Sequence, residues 1–213
     1  MKKILITIII LGVYTVTFAQ QKKGDVELGF NTGFNVSTVT NNSYTNSSNI
    51  PGVQSYRTGF NFGASADFYF SNRWSLKTKL IFDQKGWGNG FFSDANNKTF
   101  STSYNLNYIT LPVMANWHFG KKRNWYLNFG PYAGYLAGAK ATDVSVDVKD
   151  YFQNIDVGLT LGIGTKIKLA DNLKLLLEYD NQGGITDIFK MNDYSAVRNS
   201  RASLNIGLAF MLK

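Results

Sequence analysis

Tyr56-Arg57-Thr58-Gly59-Phe60-Asn61-Phe62-Gly63-Ala64-Ser65-Ala66-Asp67-Phe68-Tyr69-Phe70 alternates from end to end. The even positions hold aromatic residues, Ala and one Thr. The odd positions hold Arg57, Asp67, Asn61, Ser65, Tyr69 and two glycines. A period of two marks a β-strand with two unlike faces. The same pattern predicts eight strands, over Glu27 to Val36, Tyr56 to Phe70, Trp74 to Asp83, Asn107 to Phe119, Trp125 to Gly138, Asp156 to Lys168, Leu173 to Asn181 and Arg201 to Leu212. In each strand one parity carries neither charge nor glycine, as in Leu28, Phe30, Phe34; Leu76, Leu80, Phe82; and Leu204, Ile206, Leu208.

The opposite parity carries the charges. Arg57, Lys77, Lys79, Lys166, Lys174 and Arg201 face Glu27, Asp67, Asp83, Asp156, Glu178 and Asp180, six of each sign. Parity alone leaves two architectures open. A soluble lipocalin-like barrel lines a ligand cavity with its apolar face, whereas a transmembrane barrel turns that face to lipid and its polar face inward.

Three features select the second. The polar parity is rich in glycine, which weakens an exposed strand but suits the narrow lumen of an eight-stranded barrel. The connections alternate long and short, with short ones at 71–73, 120–124 and 169–172 and long ones at 37–55, 84–106, 139–155 and 182–200, as in outer-membrane barrels. Aromatic residues gather where the apolar face ends: Phe70, Trp74, Phe119, Trp125 and Phe210 by the short turns, and Tyr56, Tyr135 and Tyr179 by the long loops. Amphipathic rings settle at that depth. Closure into a barrel leaves no unpaired backbone edge in lipid.

Met1-Lys2-Lys3 followed by an apolar run from Ile4 to Val16 and by Thr17-Phe18-Ala19 has the layout of a signal peptide. Cleavage is expected between Ala19 and Gln20. The run is shorter than the roughly 20 apolar residues of a membrane-spanning helix. The last strand ends Asn205-Ile206-Gly207-Leu208-Ala209-Phe210-Met211-Leu212, and Asn205, Gly207, Phe210 and Leu212 fit the terminal signal that barrel-assembly machinery reads.

Among 213 residues there is no Cys and one His. Disulfides, thiolate metal centres and thiol nucleophiles are therefore excluded, and no multi-histidine metal site exists. The net charge of +8 arises from 22 Lys+Arg against 14 Asp+Glu. Lys2 and Lys3 leave with the signal peptide, the lumen sums to zero and the lipid face carries none. The remainder lies in loops, turns and termini, densest at Lys121-Lys122-Arg123, so the excess is interfacial and nucleic acid is not an expected partner.

A lipid-modifying enzyme requires a site such as a Ser-His or Asp-His constellation. His118 stands on the lumen parity beside the short turn 120–124, away from an outer-leaflet substrate, and is expected to be structural. Glu178 and Asp180 are spaced like an acid/base pair, but ion pairing with lumen Lys or Arg is the simpler account. The long loops remain as a binding region. Ser37 to Ser55 is uncharged and dense in Asn, Ser and Thr; Asp143, Asp147, Lys149 and Asp150 mark another loop, without the spacing of a calcium-binding EF-hand.

Four segments carry a family resemblance. Asn107-Tyr108-Ile109-Thr110-Leu111-Pro112 resembles a Tyr-x-x-apolar-Pro strand, Phe129-Gly130-Pro131-Tyr132-Ala133-Gly134 a Gly-Pro-x-x-Gly strand, and Asp156-Val157-Gly158-Leu159 through Gly162-Ile163-Gly164 an Asp-x-Gly strand, all of the PorT-like outer-membrane β-barrel family of Bacteroidetes-type bacteria. Tyr179 followed by Gly183-Gly184-Ile185-Thr186-Asp187-Ile188 is similar to the family's next segment, with Glu178 where a basic residue is the pattern. The resemblance implies an eight-stranded outer-membrane barrel.

The sequence thus predicts an all-β, eight-stranded, antiparallel up-and-down transmembrane β-barrel over residues 20–213, behind a cleavable signal peptide at residues 1–19. It is expected as a monomer in the outer membrane of a Gram-negative bacterium. Its lumen is closed and charge-balanced, and its role is structural or interactive, with no catalysis and no cofactor. Expected partners are outer-membrane lipid, the barrel-assembly machinery and a protein or glycan at the extracellular loops.

Overall fold

The computed structural model describes residues 21–41, 55–93, 96–191 and 196–212. The expected signal peptide, its cleavage site and the middle of the first long loop lie outside the described residues. The chain forms β1 (Val26–Asn41), β2 (Arg57–Tyr69), β3 (Trp74–Ser93), β4 (Thr99–Phe119), β5 (Trp125–Ala141), β6 (Val146–Asp147), β7 (Ile155–Lys168), β8 (Leu173–Gly184) and β9 (Val197–Leu212). Eight of these close a ring in which each strand pairs antiparallel with its chain neighbours, and β1 pairs with β9 from Val26↔Leu212 to Asn41↔Val197. The two-residue β6 adds to the end of β5 in a loop.

The apolar parity faces outward. Phe30 and Leu204 are 64% and 68% exposed, and Phe62, Leu80, Leu159 and Ile206 share their surface. A soluble barrel with the faces reversed is excluded by this arrangement, since such a belt in water would be a continuous apolar patch. Glu27, Asp67, Lys77, Lys79, Asp83, Asp156, Lys166, Glu178, Asp180 and Arg201 are buried inside.

Two glycines show how the lumen is filled. Gly164 on β7 pairs with Tyr126 on β5, and Gly158 with Tyr132. A Cβ at Gly164 would stand 2.4 Å from the Tyr126 ring, and one at Gly158 would stand 2.7 Å from the Tyr132 ring and 2.2 Å from the Gly183 carbonyl oxygen. Each tyrosine ring thus lies across a strand position that only glycine leaves open.

The structure corrects several loop boundaries. The segment 84–106, expected as a long loop, is mostly strand: β3 and β4 run on as a hairpin well past the roughly 9–11 residues that cross a bilayer. A β-bulge between Trp87 and Gly90, with Asn89 at φ 54°, shifts the register within this hairpin. Ser37 to Asn41, also expected as loop, belongs to β1, and β9 begins at Val197 rather than Arg201.

Candidate functional site: the filled lumen and the cleft above it

Glu178 on β8 is the hub of the lower lumen. Its carboxylate accepts from Lys77 Nζ at 2.5 Å, Tyr126 Oη at 2.8 Å and Asn128 Nδ2 at 3.1 Å, and it also takes a bond from Lys79 Nζ. Lys79 reaches Asp180 at 3.3 Å, and Arg201 bridges Asp180 to Asp83, the latter at 2.9 Å. Toward the short turns, Lys166 pairs with Glu27 and lies 2.9 Å from Asp67, while Lys174 lies 2.5 Å from Glu27. Every described ion pair of the lumen therefore has both partners inside, which is how charge survives burial. Beside Lys77, Lys79 and Glu178 the described residues leave a void of about 10 Å³. That is at most the room of one water.

Higher up, the motif-bearing strands meet around one cation. Lys85 on β3 donates to Asp156 at 3.0 Å, and its ammonium sits 4.4 Å from the Tyr132 ring centre and 5.1 Å from that of Tyr108. Tyr132 Oη donates to Asp156 at 3.2 Å; Asn199 donates to Asp156 at 3.1 Å and to Tyr108 Oη at 3.3 Å. A Cβ on Gly184 would stand 3.2 Å from Asp156 Oδ1. Tyr108, Tyr132, Asp156, Gly158 and Gly184 come from the four segments that carry the family resemblance. Around Lys85 they form a cage that neutralises one buried lysine by a carboxylate and two ring faces.

Above this cage the interior becomes apolar. Trp87, Tyr104, Leu106, Tyr108 and Leu136 from the strands pack against Val148, Phe152 and Ile188 from two loops. The loops are joined across the mouth: Gln153 N donates to the Ile188 carbonyl at 2.8 Å, Lys190 N to the Tyr151 carbonyl at 3.0 Å, and Ile188 N to the Val197 carbonyl at 2.9 Å. Phe152 and Phe189 stack at 4.9 Å between ring centres. The barrel is thus lidded at its long-loop end.

Between this lid and the projecting β3–β4 hairpin lies a cleft of about 640 Å³. Phe92, Tyr104, Tyr151, Phe152, Phe189 and Met191 line it, with Asp150 and Lys190 supplying one charge of each sign. Its volume falls in the range of small-ligand sites, and its lining has their character: apolar walls with a few polar groups. Tyr104 is fixed by donating from Oη to the Phe91 carbonyl at 2.6 Å.

Arg57, expected within the lumen charge network, is placed differently. It stands at the first position of β2, only partly buried at the long-loop end, and the described residues show no ion pair to it. Lys85 supplies the sixth interior cation instead; it continues the parity of Lys77, Lys79 and Asp83, which was the signal for it. His118 is wholly buried, with Nε2 at 2.9 Å from Ser75 Oγ and 4.0 Å from Asp67. Of the residues expected as the terminal signal, Asn205 points inward and donates to Asp180 at 3.0 Å, Gly207 lies opposite Asn31, and Phe210 and Leu212 face outward by the short turns. Among the described residues no group of three or more His, Asp or Glu side chains is placed to hold a metal ion.

Residues 18–190 match the family model described as outer membrane protein beta-barrel domain. Among solved structures, the chain resembles the solid-state NMR structure of outer membrane protein AlkL in DMPC bilayers, at 11% identity over 94% of this chain and 95% of that one, with a TM-score of 0.54. It also resembles outer membrane protein OprG from Pseudomonas aeruginosa, at 9% identity over 92% and 99% of the two chains, with a TM-score of 0.53. No curated protein sequence matches the chain.

Proposed function

The chain belongs to the outer membrane protein beta-barrel domain family, and from that premise we propose that it is a non-conducting, non-catalytic outer-membrane barrel whose cleft at the extracellular end engages a glycan or protein partner. The observation that carries this reading is the filled lumen. With charges paired across the interior and the mouth lidded by Phe152 and Ile188, the barrel offers a solute no path, and the cleft beside Tyr151 is where a partner finds both shape and chemistry. Aromatic walls suit the apolar face of a sugar ring or a side chain, and Asp150 and Lys190 suit its polar edge.

Three finer assignments belong to the same reading. The chain is of the PorT-like, Bacteroidetes type, supported by the convergence of its four motif segments on the Lys85 cage. Residues 1–19 are a signal peptide cleaved between Ala19 and Gln20, and Asn205, Gly207, Phe210 and Leu212 address the strand to the barrel-assembly machinery. The burial of His118 among Ser75, Asn116 and Tyr69 supports the absence of catalysis, because no lipid substrate reaches it.

The test is photocrosslinking in intact cells from a reactive amino acid at position 151, with position 140 as a control at the same end of the barrel outside the cleft. Adducts from 151 that fall with Phe92→Ser are expected. Equal adducts from both positions, or none from 151, would contradict the reading.

A further inference from the structure

The surplus positive charge of the barrel is confined to one end. The six interior cations match six interior anions, and the extracellular segments carry as many acidic as basic residues. The surplus of the barrel domain lies at the short-turn end. There the described residues place Lys22 and Lys23 before β1, Arg73 in the first turn, Lys121, Lys122 and Arg123 in the second and Lys168 at the third, against Asp25 and Asp171 alone. Lys121 and Lys122 are exposed. The turns form one rim: Arg123 Nη1 donates to the Asn72 carbonyl at 3.3 Å, and His118 N to the Arg73 carbonyl at 2.7 Å.

This rim sits directly beneath an aromatic belt. Trp74 follows Arg73, Trp125 lies two residues beyond Arg123, and Trp74 faces Trp117 across the β3–β4 pair at 6.3 Å between ring centres. Tryptophan at the foot of an apolar band marks headgroup depth, so the cations stand at the level of the inner-leaflet phosphates. We propose that the rim formed by Arg73, Lys121, Lys122, Arg123 and Lys168 selectively binds the phosphodiester headgroups of anionic phospholipids in the inner leaflet. Arginine forks and lysine ammonium groups both bind phosphate. Each such cation near an anionic surface is worth about fivefold in association.

The test uses the full barrel in mixed micelles of phosphatidylglycerol and phosphatidylcholine, with retained lipid counted by native mass spectrometry. The wild type is expected to retain phosphatidylglycerol preferentially. Lys121→Ser/Lys122→Ser/Arg123→Asn should reduce that preference by about tenfold or more, while Lys140→Ser/Lys149→Ser/Lys190→Ser at the other end leaves it unchanged. Asn at 123 tolerates the positive φ of 51° found there. The exposed pair Lys121→Glu/Lys122→Glu repeats the loss without touching that turn geometry. Excess inorganic phosphate should not displace the lipid, because the acyl chains hold it at the barrel wall. No preference in the wild type, equal losses from variants at both ends, or displacement by phosphate alone would overturn the proposal.

Discussion

Lys77 Nζ lies 2.5 Å from Glu178 Oε2, although the strands that carry them, β3 and β8, stand opposite each other in the ring. The contact therefore spans the whole lumen. Lys166 and Asp67 repeat the arrangement from β7 to β2 at 2.9 Å. Ladder hydrogen bonds tie each strand to its neighbours; these pairs tie each wall to the far one.

Glu178→Gln should therefore destabilise the barrel by about 3–5 kcal/mol, because it leaves Lys77 buried without its counter-charge and Lys79 with Asp180 alone. Urea unfolding in detergent micelles, followed by the loss of the heat-dependent mobility shift on SDS gels, measures this. The exposed control is Asp171→Asn, which breaks the Lys168 pair of 2.8 Å at the rim and should cost about 1 kcal/mol or less. Equal costs for the two would show that the interior network does not brace the barrel.

Gly164→Val should cost about 1–3 kcal/mol by overpacking, since the added carbons displace the Tyr126 ring and with it the 2.8 Å bond to Glu178. Combining it with Tyr126→Leu should recover part of the loss in the same unfolding assay. Two costs that simply add would mean that the ring and the glycine are not coupled.

His118→Gln should leave the lipid A and phospholipid profile of the outer membrane as it is in the wild type, by mass spectrometry of extracted lipid. A modified lipid species that disappears with the substitution would restore the enzyme reading.

The eight strands and the outward face were legible because lipid enforces the rule: one charge among Phe60, Phe62, Leu80 or Leu204 would stand in hydrocarbon. Above the lipid band that rule lapses. The continuation of β3 through Lys85, Gly86, Trp87 and Gly88 has water or protein on either side, so alternation fades, and the bulge at Asn89 shifts the parity of the residues beyond it. Parity also gives only the direction of a side chain. Which residues meet across the lumen depends on strand stagger around the ring, so neither the Glu178 hub nor the Lys85 cage could be read from spacing. Arg57 shows the converse: its parity is inward, but it stands at the first residue of β2, at the long-loop end, where it is only partly buried. The lid was illegible for a third reason, because Phe152, Ile188 and Phe189 belong to loops in which no periodicity marks a buried side.

A filled lumen and a lidded mouth are tested together by planar-bilayer recording of the purified, refolded barrel. A silent membrane is expected, with no steady conductance above the lipid baseline. Reproducible single-channel steps from the wild-type protein would contradict it.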